Sequence, residues 1–260
     1  MMPTTRETFD EAKPLLKPVP HDSKQNVCYL CFGATDGDYR QCSDCWKLFL
    51  APELRTAPQA LRRHVVPMTI AVNPSVWYSM LLTYKKGQFP ENAPIVSAVA
   101  YEWLKKHAKD IAGVLGGRAD VVTIVPSKRG HSYEAQPLRR ALATIPAFAK
   151  RLSPALRCVR PDLGERMKYV PEIFEPVDPR AVKYKRVLLI EDTWISGATA
   201  VSAAGALLRA GAKRVLIVPI AREFTRDYPR ASNHPYSTYL GAEYELGAWP
   251  RSKRQPDRRT

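Results

Sequence analysis

Three short apolar runs frame the chain: 119–125 (ADVVTIV), 186–191 (RVLLIE) and 214–220 (RVLIVPI). They are rich in Val, Ile and Leu and show little polar alternation, the pattern of strands buried on both faces. Between them the spacing turns helical. In 94–115, Ala100, Trp103, Leu104, Ala108, Ile111 and Leu115 recur three and four residues apart until Gly116-Gly117. Residues 135–150 predict a helix with a break at Pro146, and 198–210 one closed by Gly211. Residues 75–86 read as a short apolar helix ending in the basic turn Lys85-Lys86-Gly87. A short helix near 57–64 and a strand near 65–71 precede it. Residues 152–180 hold prolines and charges with little periodicity, so a long loop or hairpin is expected. Residues 1–26 read as a polar leader. Strand, loop and helix in repetition predict an α/β fold, a mainly parallel twisted sheet flanked by helices. Ligands in such sheets bind beyond the carboxyl ends of the strands. Two loops belong there, 126–134 and 191–199.

The cysteines add a second element. Cys28, Cys31, Cys42 and Cys45 form two C-x-x-C pairs ten residues apart. Each pair suits a tight knuckle, and four thiolates make a closed tetrahedral zinc site, structural rather than catalytic. Gly33 and Asp36-Gly37 supply turns between the knuckles. Residues 27–50 are thus expected to be a small zinc module that takes much of its folding energy from Zn2+. Disulfides are the alternative, disfavoured in a cytoplasmic chain. Cys158 has no partner spacing.

Composition narrows the partners. The 260 residues suffice for one sizeable domain plus a small module. No apolar run is long enough to span a membrane. The first residues, MMPTTRETFDEAKPLL, carry early acids and no apolar h-region, so no secretory signal is expected and a cytoplasmic location is. A net charge of +15 favours anionic partners. The stretch PRSKRQPDRRT has five basic residues and one acid and is expected to be a disordered tail.

The loop 191–199 joins two opposed features. A helix starting near Ala198 offers unpaired N–H groups and a positive dipole end, Gly197 permits close approach, and Ser196 and Thr199 add hydroxyls. That is a phosphate cradle. Glu191 and Asp192, at the other end, suit sugar hydroxyls or a phosphate-bound Mg2+. A ribose 5-phosphate unit meets both demands; an ordinary capped strand-to-helix turn also accounts for the residue types.

This stretch resembles the phosphoribosyl-diphosphate (PRPP) loop of type I phosphoribosyltransferases: two acids, two variable residues, Thr-Thr-Gly, one variable residue and Thr. Glu191 and Asp192 match the acids that hold the ribose. Thr193 follows them, and Ser196, Gly197, Ala198 and Thr199 match the 5-phosphate cradle. Glu191, Ile195 and Ser196 depart from the usual pattern, and Ile195 removes one hydroxyl. The resemblance implies that Ser127, Lys128, Arg129 and Gly130 bind diphosphate, with charge added by Lys85 and Lys86. It implies a mobile hood over 160–180, with Arg166 and Lys168 as closing charges. A four-cysteine knuckle before such a domain resembles the ComF-type competence and amidophosphoribosyltransferase-like family. The family's Arg-Gly-Phe-Asn-Gln stretch is replaced by Arg129-Gly130-His131-Ser132.

The organisation so implied is a leader at 1–26, a zinc module at 27–50, a phosphoribosyltransferase-like domain at 51–225 and an extension at 226–260. The implied activity is transfer of a phosphoribosyl group from PRPP, with Mg2+, to a nitrogen nucleophile with release of diphosphate. A different reading on the same fold is a non-catalytic DNA-uptake adaptor that binds single-stranded DNA or an acidic protein partner.

Overall fold

The computed structural model of the chain describes residues 3–20, 26–35, 39–49, 65–129, 131–163, 168–225, 240–247 and 249–250. The expected helix at 57–64, the Asp36-Gly37 turn, Gly130, Arg166 and the tail beyond 250 lie outside them. The fold is α/β. Four strands, β1 (Thr69–Asn73), β2 (Val121–Ile124), β5 (Arg186–Trp194) and β6 (Arg214–Thr225), form one parallel sheet in the order β1-β6-β5-β2. A two-stranded antiparallel ribbon, β3 (Leu156–Cys158) with β4 (Phe174–Pro176), lies within the 152–180 stretch, so the hairpin alternative holds there.

Helices cover both faces of the sheet. Along β5, Leu188 and Ile190 point to one core and Val187 and Leu189 to the other; along β6, Leu216 and Val218 oppose Val215 and Ile217 in the same way. This is why the runs VLLI and VLIV show no polar alternation. The first core is closed by α3 (Val76–Lys86), α4 (Asn92–Lys106), α5 (Ala108–Leu115), α6 (Pro137–Ala143) and α7 (Pro146–Ala149). The second is closed by α8 (Pro179–Val182), α9 (Ala198–Arg209) and the cysteine module. α9 presents Ala200, Val201, Ala203, Ala204 and Leu207, small enough to lie close on the sheet. The ribbon docks on α9 where a Cβ on Gly205 would meet the Tyr169 hydroxyl at 2.3 Å. Beside it, the Val170 N–H donates to Ser202 Oγ over 2.9 Å.

Several boundaries differ from expectation. The expected strand 65–71 begins at Thr69 instead; before it Val65 makes only an isolated bridge to Ile217, and Val66 and Met68 donate to Ile217 and Pro219 of β6. The single helix expected over 94–115 is two, parted at His107. That residue is buried, with Nδ1 3.1 Å from Asp110 and Nε2 2.9 Å from the Leu246 carbonyl. β5 runs on to Trp194, past the acids, because β6 continues beside it: Thr193 pairs Ala221 and Trp194 pairs Arg222.

The polar leader contains a helix, α1 (Thr5–Ala12). Thr4 and Glu7 form a reciprocal capping box, and Phe9, Ala12 and Leu16 sink into the first core. Part of the extension is docked as well: Trp249 stacks on Trp103 at 5.4 Å, and Tyr244 donates to the Met68 carbonyl. Among the described residues no helix is long and apolar enough to cross a membrane.

If α1 is part of the core, truncating it acts like a core mutation. Phe9→Ala is expected to cost about 3 kcal/mol in chemical denaturation. An unchanged midpoint would mean that the leader does not pack in solution.

Candidate functional site

β5 leaves the core at its carboxyl end, and its side-chain alternation carries on into the two acids. Asp192 takes the face of Leu188 and Ile190 and meets α3. Lys85 Nζ lies 2.9 Å from Asp192 Oδ1, and the buried Tyr84 hydroxyl donates to Oδ2 over 3.3 Å. Lys85 also donates to Thr193 Oγ1 over 3.1 Å. Burial, then the facing Asp192, hold the Tyr84 phenol well above its ordinary pKa. Glu191 is buried, and among the described residues its Oε2 has no hydrogen-bond partner. Burial, with the charge of Asp192 second, pushes the Glu191 carboxyl up to about 8, against the pull of Lys85 and Lys128.

A cavity of about 260 Å³ opens at this edge of the sheet. Glu191, Asp192 and Thr199 line one side; Ser127, Lys128 and Arg129, from the loop after β2, line another; Lys85 and Lys86, at the end of α3, complete it. α3 stops there because Gly87 adopts a left-handed conformation, φ 68°, at its carboxyl cap. The loop after β2 is shaped by Gln136, which is buried before α6: its Oε1 accepts from the Ser127 N–H over 3.1 Å. Ser127 Oγ in turn accepts from the Arg129 N–H over 3.2 Å.

Ser196, Gly197 and Ala198 are in the turn beside the cavity and Thr193 is in the last residues of β5; none of the four is in the lining. Trp194 is fully buried beneath that turn. A Cβ on Gly197 would lie 2.0 Å from Trp194 Cζ2, and Gly197 has φ 82°, so only glycine fits there. No side chain caps α9; the Ala198 N–H makes a 3.4 Å contact with Ser196 Oγ. Ile195 is 58% exposed and points away from this cavity.

The expected site residues therefore gather from three separate segments. Lys85 and Lys86, read as added charge, are both in the lining. His131, in the expected loop 126–134, is in the lining too, whereas Tyr84 and Gln136 had no signal in the sequence. They belong to no motif, and only the packing of α3 and α6 against the sheet edge brings them in.

The four cysteine sulfurs lie on the opposite side of β6, all within 4.8 Å of one another and all on buried residues. Cys31 and Cys42 sulfurs are 3.6 Å apart. A tetrahedron of thiolates about 2.3 Å from an ion has edges of about 3.8 Å, so the spacing fits. The first knuckle closes through Cys28 N–H to the Gly33 carbonyl and Phe32 N–H to the Cys28 carbonyl. The second opens α2 (Ser43–Phe49). Arg222 of β6 is buried against the cluster. Burial opposes its charge, but the facing sulfurs of Cys31, Cys42 and Cys45 outweigh that and raise it above the ordinary arginine value. A buried arginine facing four cysteines is the complement of an anionic metal–thiolate centre.

No protein-family model matches the chain, and no curated protein does. Among solved structures, it overlaps one described as the allosteric regulatory enzyme of purine biosynthesis. The two are 22% identical with a TM-score of 0.28, over 46% of this chain and 25% of that enzyme, so this chain spans about a quarter of the enzyme's length. At that score the overlap says nothing about function.

The buried Glu191 has a measurable consequence. Its pKa is raised on folding from the ordinary 4.5 to about 8. Between those values only the folded chain holds the proton, so stability is highest below the lower value and falls as pH rises toward the upper one, by a few kcal/mol at most. Glu191→Gln is expected to remove that fall. Equal pH slopes for the two proteins in denaturation experiments would contradict the burial argument.

Proposed function

We propose that the protein binds PRPP, or a ligand containing ribose 5-phosphate, together with Mg2+, and transfers the phosphoribosyl group to a nitrogen nucleophile. The observation that carries this reading is the convergence of Glu191, Asp192, Thr199, Lys128, Arg129 and Lys85 on one cavity at the carboxyl edge of a parallel sheet. The uncapped start of α9 supports it further, because first-turn N–H groups and the helix dipole suit a phosphate.

In this reading the 5-phosphate sits against the turn 196–199 and the ribose hydroxyls against Glu191 and Asp192. Below about pH 8 Glu191 enters as a neutral acid and is able to donate to a sugar oxygen, while Asp192 accepts. Lys128, Arg129 and Lys85 face the diphosphate. Mg2+ bound with the diphosphate beside Asp192 would neutralise charge on the leaving group. The C1–oxygen bond breaks with its electron pair going to diphosphate, and the nitrogen forms the new bond and loses a proton. Positive charge gathers on the ribose ring in between, and the Asp192 carboxylate stabilises it. The four cysteines hold a structural Zn2+ and take no part in the chemistry.

One observation favours the second reading, a single-stranded DNA or protein adaptor. Tyr39 is 75% and Trp46 56% exposed on the cysteine module, beside the exposed Arg40 and Lys47. Aromatic faces among cations suit base stacking.

Titration calorimetry separates the two. PRPP with Mg2+ is expected to bind the full chain, and Lys128→Ala to weaken binding about tenfold or more, as befits loss of a charge-assisted contact. Binding of single-stranded DNA with a steep salt dependence, and no heat with PRPP, would replace the enzyme reading with the adaptor. For the cysteine cluster, elemental analysis is expected to find one zinc per chain, lost in Cys45→Ser. Absence of metal from the wild-type chain would refute the zinc assignment.

A further inference from the structure

The cysteine cluster and the ligand turn are separated by the width of β6 and the end of β5, and one side chain touches both. Arg222 Nη1 donates to the Trp194 carbonyl over 3.2 Å and to the Glu223 carbonyl over 2.5 Å. Its Nη2 lies 3.8 Å from Asp44 Oδ2, on the helix that carries Cys45. A Cβ on Gly33 would fall 3.1 Å from Arg222 Nη2 and 3.3 Å from Cys31 Sγ, so the first knuckle needs its glycine for the guanidinium to reach the cluster. The Trp194 ring then fills the space under Gly197, where α9 begins.

We infer that Arg222 is a positioning residue that links metal occupancy to the ligand turn: it balances the bound tetrathiolate on one side and holds the Trp194 carbonyl on the other, so a loaded metal centre keeps residues 194–199 ordered. The inference rests on the zinc reading. Four thiolates around Zn2+ carry a net charge of −2, and a buried centre of that charge requires a nearby cation. Without the metal the arginine loses most of its counter-charge while still buried. Its nearest way out is a second cavity of about 240 Å³, lined by Cys42, Asp44, Ile195, Arg222, Glu223 and Phe224. Movement into that space breaks the bond to the Trp194 carbonyl and loosens the residue whose ring supports Gly197.

Hydrogen–deuterium exchange on the full chain tests this. Four samples are needed: zinc-loaded wild type, chelator-stripped wild type, and zinc-loaded Arg222→Met and Arg222→Lys, with zinc content measured in each. Stripping and Arg222→Met are each expected to speed exchange in the peptide over 194–199 about tenfold. Peptides from β2 and α4 should stay unchanged, and Arg222→Lys should restore much of the protection. Faster zinc release to a chromophoric chelator is expected from Arg222→Met. If zinc is bound but neither stripping nor Arg222→Met alters exchange in the turn, the link is wrong and the zinc reading stands. If the wild type holds no zinc, both fail. Should Arg222→Met not fold, the stripping and Arg222→Lys comparisons decide the matter alone.

Discussion

β5 is buried on both faces, and the rest of the molecule follows from that constraint. A strand sandwiched between two cores has to be apolar at every position, and Val187 to Ile190 meet that demand. Polar residues become tolerable only where the flanking helices end. Glu191 and Asp192 are the first to pass that limit. Both line the one cavity, but Asp192 meets Lys85 and Tyr84, whereas Glu191 is buried and its Oε2 has no hydrogen-bond partner among the described residues. Two adjacent acids thereby acquire different chemistry from the geometry of one strand.

Glu191 and Arg222 are among the few charged side chains that stand where packing excludes water. Glu191 meets that cost by keeping its proton to about pH 8. Arg222 cannot neutralise itself and instead faces a cluster that is anionic once metal is bound. Both groups stand at the carboxyl edge of the sheet, on either side of Trp194. The turn between them is supported from below by an indole and from behind by a guanidinium, and Ile195 within it is exposed.

The sheet and its edge were legible in the sequence because buried parallel strands have an unmistakable composition. Helix limits with strong punctuation were legible too: Ser75 and Gly87 bracket α3, and Gly197 and Gly211 flank α9. α1 escaped notice although its signal was present, a Thr-x-x-Glu capping box followed by Phe9, Ala12 and Leu16 at three- and four-residue spacing. Its high charge outside that stripe masked it. The break at His107 was not readable, since it depends on contacts with Asp110 and with Leu246, 139 residues away. The same holds for Tyr84, Gln136 and Arg222. Each is defined by what the fold brings to it, and nothing in the neighbouring sequence marks it.

The central claim is that one ligand spans the two halves of the 191–199 turn, and the direct measurement is a crystal structure of the full chain with PRPP and Mg2+. The account expects the 5-phosphate on the N–H groups of 196–199, the ribose hydroxyls at Glu191 and Asp192, and the diphosphate beside Lys128 and Arg129. A ligand bound elsewhere, or a turn left empty at saturating PRPP, would contradict it.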